Sequence, residues 1–201
     1  KSIILGSLQH SWDTVAKQVE KGQEALERHL LLLPAEERGK VKKELGRAAA
    51  ELKKMGTNLS LDSEPLQKKL GLHNSTLLVV YEVGYQCFKD KEFDEAFALF
   101  LTLTLLNSRV VDYWIALGST QRALHSEKAA LYSFSLVSLL DPSNTLSRIH
   151  CIEIYLHLQK PKDALEELEA FSEIIEEKKL DSLKPQWKLL KEKIDSNLKG
   201  K

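Results

Sequence analysis

The chain has 201 residues, of which 43% are hydrophobic and only five are proline, a composition that suits one or two compact domains and excludes a largely disordered chain. Its 29 Lys and Arg residues balance 29 Asp and Glu residues, so no net field would attract nucleic acid or an anionic membrane surface. No apolar run reaches the ~18 residues that a membrane-spanning helix needs.

The N-terminal region is predicted to form a helical hairpin over residues 8–56. Apolar side chains mark one narrow stripe of its first helix at helical spacing: Leu8, Trp12, Val15, Val19, Leu26 and Leu30. Pro34 is predicted to open the second helix, which ends near Gly56. Because the other faces are charged, the stripe must lie on the rest of the chain, on a second copy or on a partner. We expect a homodimer formed through this hairpin.

Three further features of this region bear on its structure. Gly39 and Gly46 are seven residues apart and could permit a close helix contact. Residues 57–74 are predicted to be a linker with at most a short helix between Ser63 and Leu70, capped by Asp62 or Ser63. The apolar Ser2–Leu8 is too short for a signal peptide.

The middle of the chain repeats itself every 34 residues. Three alanines, Ala96, Ala130 and Ala164, are 34 residues apart, and a bulky apolar side chain follows each by four residues, at Phe100, Phe134 and Leu168. Self-similarity at this period is typical of tetratricopeptide repeats, in which each repeat is an antiparallel helix pair. The predicted pairs are Ser75–Asp90 with Phe93–Leu106, Val110–Leu124 with Lys128–Leu140, and Leu146–Leu158 with Pro161–Glu177.

The first helix of each pair is predicted to line the concave side of the array. In the first pair, the side chains on this face are mostly aromatic and are spaced at helical intervals: Leu78, Tyr81, Tyr85 and Phe88. The equivalent candidates in the later pairs are Ile115, Ser119, Arg122, Ile149, Glu153 and Leu156. The aromatic face is either ordinary core, covered by the N-terminal helices, or a groove for a partner segment, in which case these aromatics contribute little to folding.

The end of the chain is predicted to close the array. Pro185 lies near the start of a last helix, Leu183–Leu198, whose apolar face carries Trp187, Leu190, Ile194 and Leu198. Repeat arrays need a terminal element that is apolar inside and polar outside. The overall expectation is an all-α chain of three stacked tetratricopeptide-like helix pairs (75–177), with an N-terminal hairpin and linker (1–74) and a C-terminal capping helix (178–201).

The sequence shows no motif for catalysis or for a cofactor. It has no Gly-rich phosphate loop, no nucleophile elbow and no paired-cysteine metal ligands. His150, Glu153 and His157 share a helical face beside Cys151, but nothing in the sequence supplies a fourth ligand and a supporting shell for a metal. Cys87 and Cys151 are expected to be small buried residues in a reducing compartment. We expect no enzyme, no cofactor and no bound metal.

Three segments resemble the class II chaperones of bacterial type III secretion systems. They are YxxxYxxF followed by KxFDEAFALF, then YWIALGSTQRAL, then YSFSLVSLLDP, between Leu78 and Phe171. The resemblance implies a bacterial cytosolic chaperone that holds a translocator subunit before export. In that family, aromatic residues of the first repeat form pockets for a short client segment, and the matching positions here are Tyr81, Tyr85 and Phe88. Two alternatives stay open: a structural tetratricopeptide scaffold, and a needle-subunit chaperone that holds an amphipathic helix.

Overall fold

A computed structural model describes residues 17–55 and 64–199 of the chain, with the side chains of Lys53 and Met55 left aside. Every regular element in these ranges is helical, which confirms the predicted all-α class. The predictions for Leu8, Trp12, Val15, the stop at Gly56 and the cap at Asp62 or Ser63 lie outside the described residues. Among the described residues, no helix combines the length and apolarity needed to cross a bilayer.

Ten α-helices are present in the described residues. The described part of α1 covers residues 17–30. The others are α2 (Ala35–Met55), α3 (Leu66–Lys69), α4 (Asn74–Lys89), α5 (Phe93–Leu106), α6 (Val111–Ala123), α7 (Glu127–Leu140), α8 (Thr145–His157), α9 (Pro161–Glu177) and α10 (Lys184–Lys199), with a 3₁₀ turn at Asp181–Leu183. The chain forms two compact units, and the boundary falls within α6 between Thr120 and Gln121.

The first unit has one apolar core that includes the N-terminal hairpin. Helices α1 and α2 contribute Ala25, Leu26, Leu30, Val41 and Ala48, and α4 and α5 contribute Leu77, Val80, Cys87, Ala96, Phe100 and Leu103. Helix α1 crosses α5 where Gly22 meets Ala98: a Cβ on Gly22 would lie 3.2 Å from the Ala98 carbonyl carbon. The hairpin therefore lies on the first predicted repeat. Leu26 is 5% exposed and is not available for the predicted dimer contact.

The close helix contact expected at Gly39 and Gly46 of α2 is absent from the described residues. A Cβ added to Gly39 or Gly46 would meet nothing within 4 Å, so neither glycine permits a close helix contact. The close approach occurs instead at Gly84 in α4, where an added Cβ would lie 2.9 Å from Cε1 of Phe100.

The predicted short helix in the linker is present as α3, and hydrogen bonds of the buried Gln67 amide fix it to the first unit. Gln67, which is 6% exposed, donates from Nε2 to the Asn74 Oδ1 atom at 2.6 Å. Asn107 Nδ2 donates to Gln67 Oε1 at 2.8 Å, which ties α3 to the end of α5. A buried amide needs such partners, and Gln67 finds them in the exposed Asn74 and the half-buried Asn107.

The second unit has two apolar clusters around α8. One contains Ala164, Leu168 and Phe171 of α9 together with Leu190 and Ile194 of α10. The other contains Ala130 and Phe134 of α7. Helix α10 contacts both α8 and α9. Leu198, predicted to lie on the packed face of α10, is instead 38% exposed, because it lies in the last turn of that helix.

The backbone at the helix ends repeats with the same 34-residue period as the sequence. Lys91, His125 and Gln159 have positive φ values of 64°, 57° and 60°, respectively, and each follows the first helix of a pair. The next residue in each case donates its N–H five residues back: Glu92 to Cys87 at 2.9 Å, Ser126 to Gln121 at 2.8 Å, and Lys160 to Tyr155 at 2.8 Å. These are Schellman motifs, which satisfy the last carbonyls of a helix. Lys179, after α9, has the same conformation with φ of 53°, so four described non-glycine residues adopt a backbone conformation that glycine adopts most easily.

Candidate functional site

Helix α4 presents two exposed apolar side chains on the predicted aromatic face. Leu78 is 56% exposed and Tyr85 is 53% exposed. The Nζ atom of Lys89 lies 5.1 Å from the centre of the Tyr85 ring, close enough for a cation–π contact. Exposed large apolar side chains close together are typical of interaction surfaces.

The other two aromatics of this face also belong to the folding core. The Tyr81 ring is half-buried, with its centroid 5.5 Å from that of Phe100 and 6.0 Å from that of Tyr113. Burial, and then the nearby Asp112 carboxylate, raise the pKa of Tyr81 above its ordinary value. Phe88 is half-buried, and its ring centroid lies 5.4 Å from that of Phe93, edge to face. Tyr81 and Phe88 therefore pack partly against the core, whereas Tyr85 does not.

Helix α6 contributes two further candidates of the first unit. Ile115 and Ser119 are both half-buried. Tyr113, on the same helix, is the residue whose ring meets Tyr81. Tyr81 and Tyr113 therefore join α4 and α6, the first helices of two successive predicted pairs.

In the second unit, Arg122 and Glu153 form an ion pair. The Arg122 Nη1 atom donates to Glu153 Oε2 at 2.7 Å and lies 2.7 Å from His150 Nδ1. The His150 imidazole, and then the Arg122 guanidinium, lower the pKa of Glu153 to about 2 against the opposing effect of burial. The His150 ring stacks on Phe134 with centroids 4.5 Å apart. The charges of Arg122 and Glu153 are therefore paired with each other, and neither is left as an isolated, partly buried ion.

The remaining candidates of the second unit divide into one core residue and one partly exposed residue. Ile149 is 7% exposed and lies in the cluster that contains Leu190 and Ile194 of α10. It is therefore a core residue and does not line a groove. Leu156 is half-buried against the same cluster.

The histidines considered as metal ligands in the sequence have other partners. His150 meets Arg122, whereas His157 Nδ1 lies 3.2 Å from Glu127 Oε1. Cys151 is fully buried beside Phe134 and Ile154.

A cleft of about 940 Å³ between α2 and the start of α4 was not predicted. Val41 and Val79 lie in its wall, and Glu44 accepts hydrogen bonds there from the His73 backbone N–H and from Thr76 Oγ1. Burial raises the pKa of Glu44, but these bonds outweigh it, so the pKa falls below its ordinary value. The cleft depends on how the hairpin lies on α4, which no local sequence pattern specifies.

Comparisons with known proteins identify solved structures of the same fold. No family model matches the chain, and no curated protein matches it by sequence. A T3SS complex from Aeromonas hydrophila is similar with a TM-score of 0.64 at 19% identity, over 77% of this chain and 99% of that one. The Yersinia enterocolitica type III secretion chaperone SycD, in complex with a peptide of the translocator YopD, is similar with a TM-score of 0.57 at 19% identity, over 64% and 98%.

PcrH from Pseudomonas aeruginosa is similar with a TM-score of 0.51 at 22% identity, over 65% of this chain and 94% of that one. At these identities the likeness concerns the fold. The chain therefore shares the helical, tetratricopeptide-like fold of the type III secretion translocator chaperones.

Proposed function

We propose that this chain is a type III secretion chaperone that binds a segment of a translocator and keeps it soluble in the bacterial cytoplasm until export. The observation that carries the proposal is the exposed pair Leu78 and Tyr85 on helix α4, in a fold in which SycD is seen with a peptide of YopD. PcrH is likewise seen with the chaperone-binding regions of PopD and PopB.

The spacing of the exposed pair suits an extended client segment. Leu78 and Tyr85 are seven residues, or two helical turns, apart on one face, which corresponds to about 10 Å along the helix axis. In an extended polyproline II segment, side chains three residues apart lie on one face and are separated by a similar distance, about 9 Å. Tyr85 offers a large apolar ring and a polar tip, a combination that is enriched at protein interfaces. Tyr81 lies between Leu78 and Tyr85 in the sequence, and its half-buried ring packs against Phe100.

Each unit carries its own set of proposed client contacts. The first unit supplies Leu78, Tyr81, Tyr85, Phe88, Ile115 and Ser119. The second unit supplies Arg122, Glu153 and Leu156. Ile149 is left out because its side chain is buried in the core.

The proposal includes a repeat assignment. We assign α4 with α5, α6 with α7, and α8 with α9 as three consecutive tetratricopeptide repeats, preceded by the hairpin and followed by α10 as the cap. The 34-residue spacing of the Schellman motifs at Lys91, His125 and Gln159 supports this assignment, because each motif closes the first helix of an assigned pair.

Self-association through the hairpin is a further part of the proposal. Leu31 and Leu32, in the turn between α1 and α2, are 64% and 82% exposed, and SycD has been solved as an alternative dimer. Removing the hairpin is a poor test, because α1 and α2 belong to the core of the first unit. Sedimentation of the intact chain against the double substitution Leu31→Ser and Leu32→Ser is preferable. We expect a dimer that the double substitution dissociates; a monomeric parent chain would contradict this part.

Co-purification tests the proposed function itself. The tagged chain is expressed in the bacterium that encodes it, and the proteins that co-purify with it are identified. We expect a secreted protein with apolar segments, released when the secretion system is active. Stable structural components of the secretion machine would indicate a structural scaffold. A short amphipathic needle subunit would indicate a needle-subunit chaperone. Either result would contradict the translocator assignment.

A further inference from the structure

Three side chains of metal-ligand type meet in the first unit, away from the surface described above. They are His29 near the end of α1, Cys87 in the last turns of α4, and Glu92 just before α5. One potential ligand atom from each lies within 4.8 Å of the other two. Within this group, Cys87 Sγ and His29 Nε2 are 4.0 Å apart.

The His29 ring is oriented as a metal-binding imidazole usually is. Its Nδ1 atom lies 3.0 Å from the Ala25 carbonyl oxygen, which can only accept, so Nδ1 carries the hydrogen and donates. The Nε2 atom is then unprotonated, and its lone pair is on the side of Cys87. Metal-bound histidines typically donate their second ring N–H to a carbonyl or carboxylate in this way.

The Glu92 carboxylate has a buried oxygen, Oε2, that accepts no hydrogen bond. Its ion pair with Arg28 Nη2 is long, at 4.0 Å. A buried carboxylate oxygen without a hydrogen-bond donor is costly unless something else satisfies it. The Schellman bond from the Glu92 N–H to the Cys87 carbonyl, at 2.9 Å, fixes the backbone of these two residues relative to each other.

The protein alone does not activate the thiol. Cys87 is fully buried. Burial, and then the Glu92 carboxylate, raise the pKa of its thiol to about 12. Such a thiol is a poor nucleophile, so modification or redox chemistry at Cys87 is disfavoured. A bound cation would change this, because a metal deprotonates the thiol that coordinates it.

We propose that His29, Cys87 and Glu92 bind a divalent metal ion with the preferences of Zn²⁺, with water as the fourth ligand. Thiolate, imidazole and carboxylate are the ligands that Zn²⁺ takes in tetrahedral sites, with Zn–S of about 2.3 Å and Zn–N of about 2.0–2.1 Å. In a tetrahedral site these bond lengths place sulfur and nitrogen about 3.6 Å apart, so the two side chains would need to approach by only a few tenths of an ångström. The bound ion would clamp α1 to the end of α4. None of these three residues is among the proposed client contacts.

Cobalt substitution tests the site in the reduced, full-length chain. Co²⁺ coordinated by a thiolate gives a sulfur-to-metal charge-transfer band, and tetrahedral Co²⁺ gives intense visible absorption. We expect both signals at one equivalent of Co²⁺ and their loss when Zn²⁺ is added. His29→Gln and Glu92→Gln should each weaken Co²⁺ binding at least about 100-fold, since even outer-shell substitutions cost 10–100-fold.

Cys151 provides a matched control for Cys87, since both are free and fully buried. Cys87→Ser should abolish the charge-transfer band, whereas Cys151→Ser should keep it. If Cys87→Ser does not fold, the two glutamine substitutions still decide the question, because His29 and Glu92 are only partly buried. Absence of the band in the parent chain, or its persistence in His29→Gln at unchanged affinity, would overturn the proposal.

Discussion

Gly84→Ala probes the helix crossing on which the first predicted repeat depends. The added Cβ would lie 2.9 Å from Cε1 and 3.1 Å from Cζ of Phe100. Phe100 is 1% exposed, so its ring is enclosed and cannot swing away into solvent. Gly46→Ala in α2 is the matched control, because the same methyl group there meets nothing within 4 Å.

The expected magnitudes depend on two opposing effects. Replacing glycine by alanine within a helix gains about 1 kcal/mol from helix propensity. Overpacking a buried site costs about 1–3 kcal/mol. Gly46→Ala should therefore stabilise the chain by about 1 kcal/mol, whereas Gly84→Ala should be neutral or destabilise it by up to about 2 kcal/mol. The gap between the two variants is the overpacking cost alone.

Thermal and urea denaturation, monitored by circular dichroism, measure this gap. At about 2–4 °C per kcal/mol for a chain of this size, the two melting temperatures should differ by roughly 2–12 °C. Phe100→Leu added to Gly84→Ala should remove part of the clash, so the two changes should couple in a double-mutant cycle. If Gly84→Ala melts as high as Gly46→Ala, the close contact between α4 and α5 is refuted.

Two further predictions concern the second unit. His125→Gly should raise the free energy of unfolding by about 0.5–1 kcal/mol in urea denaturation, because φ is 57° there and glycine adopts that conformation without strain. Ser126→Gly is the control and should bring no gain, because φ is −97° at that residue. Equal effects of the two substitutions would contradict this reasoning. The folded-state pKa of Glu153 is lowered to about 2 from an ordinary 4.5. The stabilisation that the ionised Glu153 adds to the free energy of unfolding should therefore be present above pH 4.5 and be lost as the pH falls toward 2. The stability difference between the parent chain and Glu153→Gln, about 1 kcal/mol after solvent screening, should shrink over that range, and a constant difference would refute the shift.

Much of the repeat region could be predicted from the sequence. Ala96, Ala130 and Ala164, spaced 34 residues apart, are all fully buried, and so are the bulky apolar side chains four residues after each, Phe100, Phe134 and Leu168. Helices α5 and α9 have the predicted bounds, α7 begins one residue earlier than predicted, and α4, α6 and α8 are each displaced by one residue at both ends. Such patterns succeed because a repeat's contacts are mainly local.

Contacts distant in sequence could not be predicted. The apolar stripe of the hairpin fits any apolar surface, so its pattern is compatible with the rest of the chain, a second copy or a partner. The structure places it on α4 and α5 through contacts such as that between His29 and Cys87, 58 positions apart. The candidate metal site results from that placement. Its ligands, His29, Cys87 and Glu92, do not form a metal-binding motif in the sequence.

Ile149 shows how one repeat position changes its role along the array. Tyr81, Ile115 and Ile149 are equivalent by the 34-residue period, yet the first two are half-buried and the third is buried. Ile149 lies in a cluster with Leu190 and Ile194, so helix α10 covers a position that was predicted to face a groove. The pattern within a repeat carries no information about the helix that packs against the last repeat.

The affinity of Tyr85→Ala for a client peptide tests the central claim most directly. The peptide would be mapped from the co-purified translocator, and Tyr132→Ala is the control because that tyrosine is also exposed, at 65%, but lies on α7, a second helix of its pair. We predict that Tyr85→Ala melts within about 2 °C of the parent chain and binds the peptide about 30-fold more weakly, as expected for the loss of an anchor worth about 2 kcal/mol. Tyr132→Ala should change neither value. Unchanged peptide affinity in Tyr85→Ala would contradict the account.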